Sequence, residues 1–206
     1  MIKIIEDCSP YYIRFTHDRM TDIIEFCKTK IIEADDKEKT FIHYKFSKLD
    51  ARLVLSLIPF LDKNAVYLEE TRVSLFITKP GRYYRAHKDG MFDRFSLNYT
   101  IQILDEHCLT SWYSDNDLKD YPIDNLPNNV SRECIGFVKE NHVPLKSMVA
   151  KPNECILFNT DIFHDFDNRQ SSNLRVVLTL RAGIAIRKNT YFEDIKKILC
   201  ANAGLV

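Results

Sequence analysis

His87, Lys88 and Asp89 stand in a row, and a second histidine, His164, lies far downstream. In an extended segment, residues two apart project from the same face, so His87 and Asp89 can converge on one point. His164 reaches that point if its own segment pairs alongside. Two imidazoles and one carboxylate cover one side of a divalent metal and leave the opposite positions open, as non-haem Fe(II) chemistry requires. Zinc accepts the same three ligands, so the set alone leaves the metal open. A His-x-Asp pair is also common by chance, and context has to decide. The other four histidines, His17, His43, His107 and His142, lack this spacing and read as surface or packing residues.

Context comes from Arg175, which interrupts the apolar run from Leu174 to Leu180. A guanidinium there is costly to bury unless an anion meets it, and a carboxylate would be gripped through two parallel hydrogen bonds. Thr179, four residues on, shares the face and offers a hydroxyl. The competing reading is an edge-strand arginine facing solvent.

Elements must bring these groups together. After a short opening strand the first third reads as helical. Met20, Ile23, Ile24, Cys27 and Ile31 recur with one-sided helical spacing over 18–33. Ser47 is a plausible N-cap for a second helix, with Leu49, Leu53, Leu57, Ile58 and Leu61 on one face. From residue 64 the pattern turns to short strands: 66–70, 72–78, 83–87, 95–104, 108–113, 134–139, 146–150, 154–159, 163–166 and 174–181. Such a series, broken by turns such as Lys79-Pro80-Gly81 and Lys151-Pro152-Asn153, predicts an all-β sandwich or barrel. The polar stretch 114–131 reads as a loop over a site. Thr190 and Glu193 have capping-box spacing for a closing helix, with Phe192, Ile195, Ile198 and Leu199 on its buried side. The chain therefore reads as one domain: helical support over 1–63, a β core over 64–182 and a helix over 190–201.

The 206 residues carry 29 Lys plus Arg against 29 Asp plus Glu. That balance supplies no overall field for nucleic acid or an anionic membrane. Cys8, Cys27, Cys108, Cys134, Cys155 and Cys200 form no CxxC pair and read as reduced thiols. Early charge argues against a signal peptide, and no apolar run approaches a membrane span. A cytoplasmic protein is the expectation.

Taken together, His87-x-Asp89, His164 and Arg175 resemble the signature of the Fe(II)/2-oxoglutarate-dependent oxygenases. Gly81-x-x-Tyr84-x-x-His87-x-Asp89 is similar to the motif of prolyl-4-hydroxylase-like members, and Pro152-Asn153-Glu154 with Phe158 before His164 resembles their Pro-x-Gly…Phe…His segment. The resemblance spans roughly 72–181. Asn153 stands where glycine is common. A Gly-Gly element is replaced by Cys108-Leu109-Thr110-Ser111-Trp112-Tyr113, which argues against a peptidyl-proline substrate.

The resemblance implies a double-stranded β-helix (a jelly roll or cupin-like barrel), mainly β with flanking helices. It implies Fe(II) on His87, Asp89 and His164, 2-oxoglutarate as co-substrate with its far carboxylate on Arg175, and O₂ as oxidant. Tyr99 or Tyr84 would add a hydrogen bond to that carboxylate. The outcome would be hydroxylation of an amino acid or a peptide-borne residue, so the expected partner is a small molecule or peptide, with no nucleic acid and no membrane. Trp112 and Tyr113 could wall the pocket, and Arg82, Arg85 and Arg94 could read a substrate carboxylate. Two alternatives stand beside this. One is a nucleic-acid base demethylase of the same superfamily, with Arg181 as its second arginine. The other is a non-catalytic or zinc-binding β-barrel.

Overall fold

In the computed structural model, the described residues are 1–34, 41–58, 68–89, 95–102, 106–120, 136–138, 143–182 and 192–205. Strands β1 (Ile2–Cys8), β2 (Tyr12–His17) and β3 (Phe41–Lys45) precede the β core, interleaved with helices α1 (Met20–Ala34) and α2 (Lys48–Ser56). The core adds β4 (Leu68–Thr78), β5 (Arg82–His87), β6 (Phe95–Gln102), β7 (Leu109–Tyr113), β8 (Leu118–Asp120), β9 (Gly136–Val138), β10 (Lys146–Val149), β11 (Cys155–Asn159), β12 (Phe163–Asn168) and β13 (Arg175–Ala182). Helix α3 (Phe192–Asn202) closes the described chain.

A seven-stranded sheet runs β1-β2-β11-β6-β13-β4-β3, and a four-stranded sheet runs β10-β7-β12-β5. All recorded pairings are antiparallel. Alternation along the strands assigns each face of the large sheet. On β13, Val176, Leu178 and Leu180 join the main core, as do Leu97 and Tyr99 on β6 and Val73, Leu75 and Ile77 on β4. Helices cover that face through Met20, Ile23, Ile24 and Cys27 of α1, Ala51 and Val54 of α2, and Phe192, Ile195 and Leu199 of α3. Each fully buried Leu, Ile or Phe there contributes about 1.5–3 kcal/mol. The opposite face of the large sheet meets the small one. One end of that space is filled by Tyr12, Trp112, Met148, Ile156 and Phe158, and the other end is open as a cavity.

Several expectations change. The first third is not simply helical. β2 pairs with β11, and β3 pairs with β4, so both extend the large sheet. The predicted strands 66–70 and 72–78 lie within a region where one strand, β4, runs Leu68–Thr78. On α2, Ser47 does cap the helix, accepting from the Asp50 N–H. The buried face is Ala51, Val54, Leu57 and Ile58, however, while Leu49 and Leu53 are exposed. A short helix against a sheet edge buries one narrow stripe, and a small alanine permits the close approach. The polar stretch 114–131 begins with a 3₁₀ turn, Asp115–Asp117, and with β8, which pairs with β9. Residues 121–131, Leu61 and Thr190 lie outside the described residues. Asn153, at the glycine-like position, has φ +63°, a left-handed turn conformation that asparagine tolerates better than other non-glycine residues.

Candidate active site

The two histidines face each other across the small sheet, where His87 at the end of β5 is the register partner of His164 on β12. Asp89 follows two residues after His87, and its N–H donates to the Thr160 carbonyl at 3.4 Å. Ligand-capable atoms of His87, Asp89 and His164 all lie within 4.8 Å of one another. His87 Nε2 is 3.4 Å from Asp89 Oδ1.

Each ring is oriented by its own backbone. His87 Nδ1 bonds the Arg85 carbonyl at 2.8 Å, and His164 Nδ1 bonds the Ile162 carbonyl at 2.8 Å. A carbonyl can only accept, so both Nδ1 atoms carry the proton and both Nε2 lone pairs remain for a metal. Burial, with the neighbouring His87, pushes the His164 imidazole down to about 3, so it is neutral near pH 7. Burial alone would raise the Asp89 carboxyl. Arg181, whose Nη2 lies 3.2 Å from Asp89 Oδ2, and His87 outweigh that and hold it well below the usual carboxylate range. A neutral imidazole on His164 and an ionised carboxylate on Asp89 are donor forms a divalent cation needs, and His87 stands within reach of both.

A cavity of about 250 Å³ opens beside these groups, with Tyr84 and Phe166 on the small sheet and Asn98, Arg175, Val177, Thr179 and Arg181 on the large one. Arg175 is only 6% exposed, with its guanidinium 4.2 Å from the Phe166 ring centroid. Among the described residues no carboxylate pairs with it, and burial depresses its pKa. Asn98, the register partner of Thr179, is likewise buried, and its Oδ1 has no hydrogen-bond partner.

No family model matches the sequence, and neither does any curated protein sequence. Solved structures do match the fold. Iron-bound HygX from Streptomyces hygroscopicus superposes with a TM-score of 0.55 at 11% identity, covering 84% of this chain and 81% of that one. A Pseudomonas putida prolyl-4-hydroxylase gives 0.51 at 12% identity, over 85% of this chain and 94% of its own. A 2OG-Fe(II) oxygenase family oxidoreductase from Burkholderia pseudomallei gives 0.51 at 10% identity, covering 85% of each chain. The chain shares the double-stranded β-helix fold of these structures.

On this fold Tyr84 and Thr179 line the cavity with Arg175, whereas Tyr99 does not. Strand parity is the reason. Odd positions of β6 face the helices, where the Tyr99 hydroxyl bonds His17 Nε2 at 2.9 Å, and the even positions Ser96 and Asn98 face the cavity. Trp112 and Tyr113 do not wall the pocket. Trp112 is fully buried between the sheets, and the Tyr113 hydroxyl donates to Asp165. Arg82 and Arg85 are exposed, and Arg94 lies outside the described residues. The pairing of Arg181 with Asp89 gives that arginine a place at the carboxylate ligand. Its parity with Arg175 on β13 signals the shared face, but nothing in the sequence signals the contact. Asn98 and Ser96 were legible only as polar residues alternating with Phe95, Leu97 and Tyr99.

Proposed function

We propose that this protein is an Fe(II)- and 2-oxoglutarate-dependent oxygenase, with His87, Asp89 and His164 holding the metal. The observation that carries the reading is Arg175: a buried guanidinium without a carboxylate partner among the described residues, in the same cavity as the three metal-competent side chains. A dicarboxylate co-substrate would bring one carboxylate to the metal and the other to that guanidinium, relieving the cost of burying its charge. Support also comes from HygX, whose structure with nickel and 2-oxoglutarate bound superposes at a TM-score of 0.50. A purely structural zinc site would leave the buried Arg175 without a purpose.

Iron with 2-oxoglutarate and O₂ supplies an oxidant able to attack an unactivated C–H bond, with release of succinate and CO₂. The protein's own part is placement. Backbone carbonyls fix the two imidazoles, Arg181 keeps Asp89 ionised, and Arg175 with Thr179 receives the far carboxylate. Val177 and Phe166 present apolar surface between these charged ends. Hydroxylation of an amino acid or a peptide-borne residue is the reading we adopt for substrate, on the likeness of Gly81-x-x-Tyr84-x-x-His87-x-Asp89 to the prolyl-4-hydroxylase-like motif. Arg181, engaged with Asp89, is accounted for without a nucleic-acid base. The test is a screen of amino acids and short peptides for substrate-dependent succinate release, with product mass read in parallel. One added oxygen atom on an amino-acid or peptide substrate supports the reading. Succinate formed only with other substrate classes refutes the substrate assignment, and none with any refutes the enzyme assignment.

A further inference from the structure

Aromatic rings continue beyond the cavity wall. Phe158, on β11, meets His164 edge-on with ring centroids 4.6 Å apart and lies 4.9 Å from Trp112 on β7. Trp112 in turn stacks on Tyr12 of β2 at 5.1 Å, with 23° between the planes. The Tyr12 hydroxyl donates to Glu6 Oε1 at 3.2 Å, and the Glu6 side chain is 35% exposed. The four rings therefore run in contact from a proposed metal ligand to a carboxylate at the surface.

The rings differ in what they can do. Indole and phenol give up an electron far more readily than a phenyl ring, which serves here as a bridge. The Trp112 Nε1–H is buried with no hydrogen-bond partner, so an electron lost from Trp112 leaves a charge whose proton has nowhere to go. Tyr12 has what Trp112 lacks, a carboxylate already accepting its O–H. Burial, Cys8 and the Glu6 charge hold the Tyr12 phenol above its ordinary pKa, so it loses its proton only together with an electron.

We infer that Phe158, Trp112, Tyr12 and Glu6 form an escape relay that carries oxidising equivalents out of the site when co-substrate is consumed with no substrate bound. The inference rests on the iron and 2-oxoglutarate reading above. Iron held by His87, Asp89 and His164 would supply a one-electron oxidant; Trp112 gives up one electron to it across Phe158, and a proton from water would balance the added charge. Tyr12 then gives an electron to Trp112 and its phenol proton to Glu6, restoring the indole and leaving a neutral phenoxyl radical. A one-electron reductant in solution, such as ascorbate, returns Tyr12 to the phenol with the proton from Glu6. Each passage spares Tyr84 and Phe166, two of the aromatic rings that line the cavity with Phe158 and Phe76.

The test loads wild type, Tyr12→Phe and Trp112→Phe with Fe(II) and 2-oxoglutarate anaerobically, then adds O₂ without substrate. Freeze-quenched samples are read by electron paramagnetic resonance, and the same protein is assayed for succinate and mapped for inserted oxygen by mass spectrometry. The expected result is a tyrosyl radical in wild type that is lost in Tyr12→Phe. Oxygen insertion at Tyr84 or Phe166 should rise severalfold in both variants at unchanged succinate. Tyr12→Phe removes a single hydroxyl, and matching thermal melts confirm its fold. Succinate in wild type without a tyrosyl signal, and with the same oxidation sites in all three proteins, overturns the relay alone. No succinate in wild type overturns the oxygenase reading and the relay with it.

Discussion

Arg175 and Asp89 are two buried charges with opposite situations. Asp89 has Arg181 at 3.2 Å and stays ionised, whereas Arg175 has a ring beneath it and no carboxylate among the described residues. The first is paired as folded; under the proposed function the second is paired by the far carboxylate of 2-oxoglutarate. Charge-assisted hydrogen bonds contribute about 1.5–3 kcal/mol. Arg175→Ala should therefore weaken 2-oxoglutarate binding by roughly 10- to 150-fold and leave Fe(II) affinity unchanged. Titration with 2-oxoglutarate at fixed Fe(II) checks this, and equal affinities would remove Arg175 from the site. Arg175 was legible from sequence because a cation inside an apolar strand demands an explanation. Tyr99 misled because its type suited a carboxylate while its parity on β6 placed it on the helix side.

At the scale of elements, three adjacent strands of the small sheet, β7, β12 and β5, are laced through one side chain. Asp165, on β12 beside His164, accepts from the Ser111 N–H at 3.2 Å, from the Tyr113 hydroxyl at 2.7 Å and from the Tyr83 hydroxyl at 3.0 Å. These donors come from β7 and β5, so the clamp ties the strand of His164 to that of His87 where their register is interrupted between His164 and Phe166. Replacing both tyrosines by phenylalanine leaves the metal-binding atoms in place but frees the strands to shift. Supporting groups of this kind are worth about tenfold or more in metal affinity. A tenfold weaker Fe(II) dissociation constant is the expected outcome, and an unchanged one would show that the clamp does not position the site. The strand series was legible from alternation and turn residues, and so was α1. The role of β2 and β3 was not, because a strand that adds to a sheet edge is specified by its partner rather than by its own sequence. The exposed Leu49 and Leu53 make the same point for α2. Helical spacing names a face, and only packing decides which face is buried.

For the whole molecule, equal numbers of basic and acidic residues leave stability to particular buried groups. His17 is one of them, bonded to Tyr99 and accepting from the Arg19 N–H. Burial lowers its pKa from 6.5 to about 4. Because the unfolded chain takes up a proton that the folded one refuses, stability falls as pH drops from 6.5 to about 4 and the loss is complete below that. The contribution is on the order of 3 kcal/mol. His17→Gln should flatten the dependence of the melting temperature on pH across this window in metal-free protein; an unaltered slope would assign the loss to other groups. Among the described residues no helix is long and apolar enough to cross a membrane. None of the five described cysteines forms a disulfide. Cavity, donor set and buried guanidinium together make one claim, that iron and 2-oxoglutarate meet between the two sheets. The visible spectrum of anaerobic protein with Fe(II), before and after 2-oxoglutarate, tests that claim most directly, with His87→Ala as control. A new charge-transfer band is expected in wild type and absent from the variant. Bound metal without such a band in wild type would contradict it.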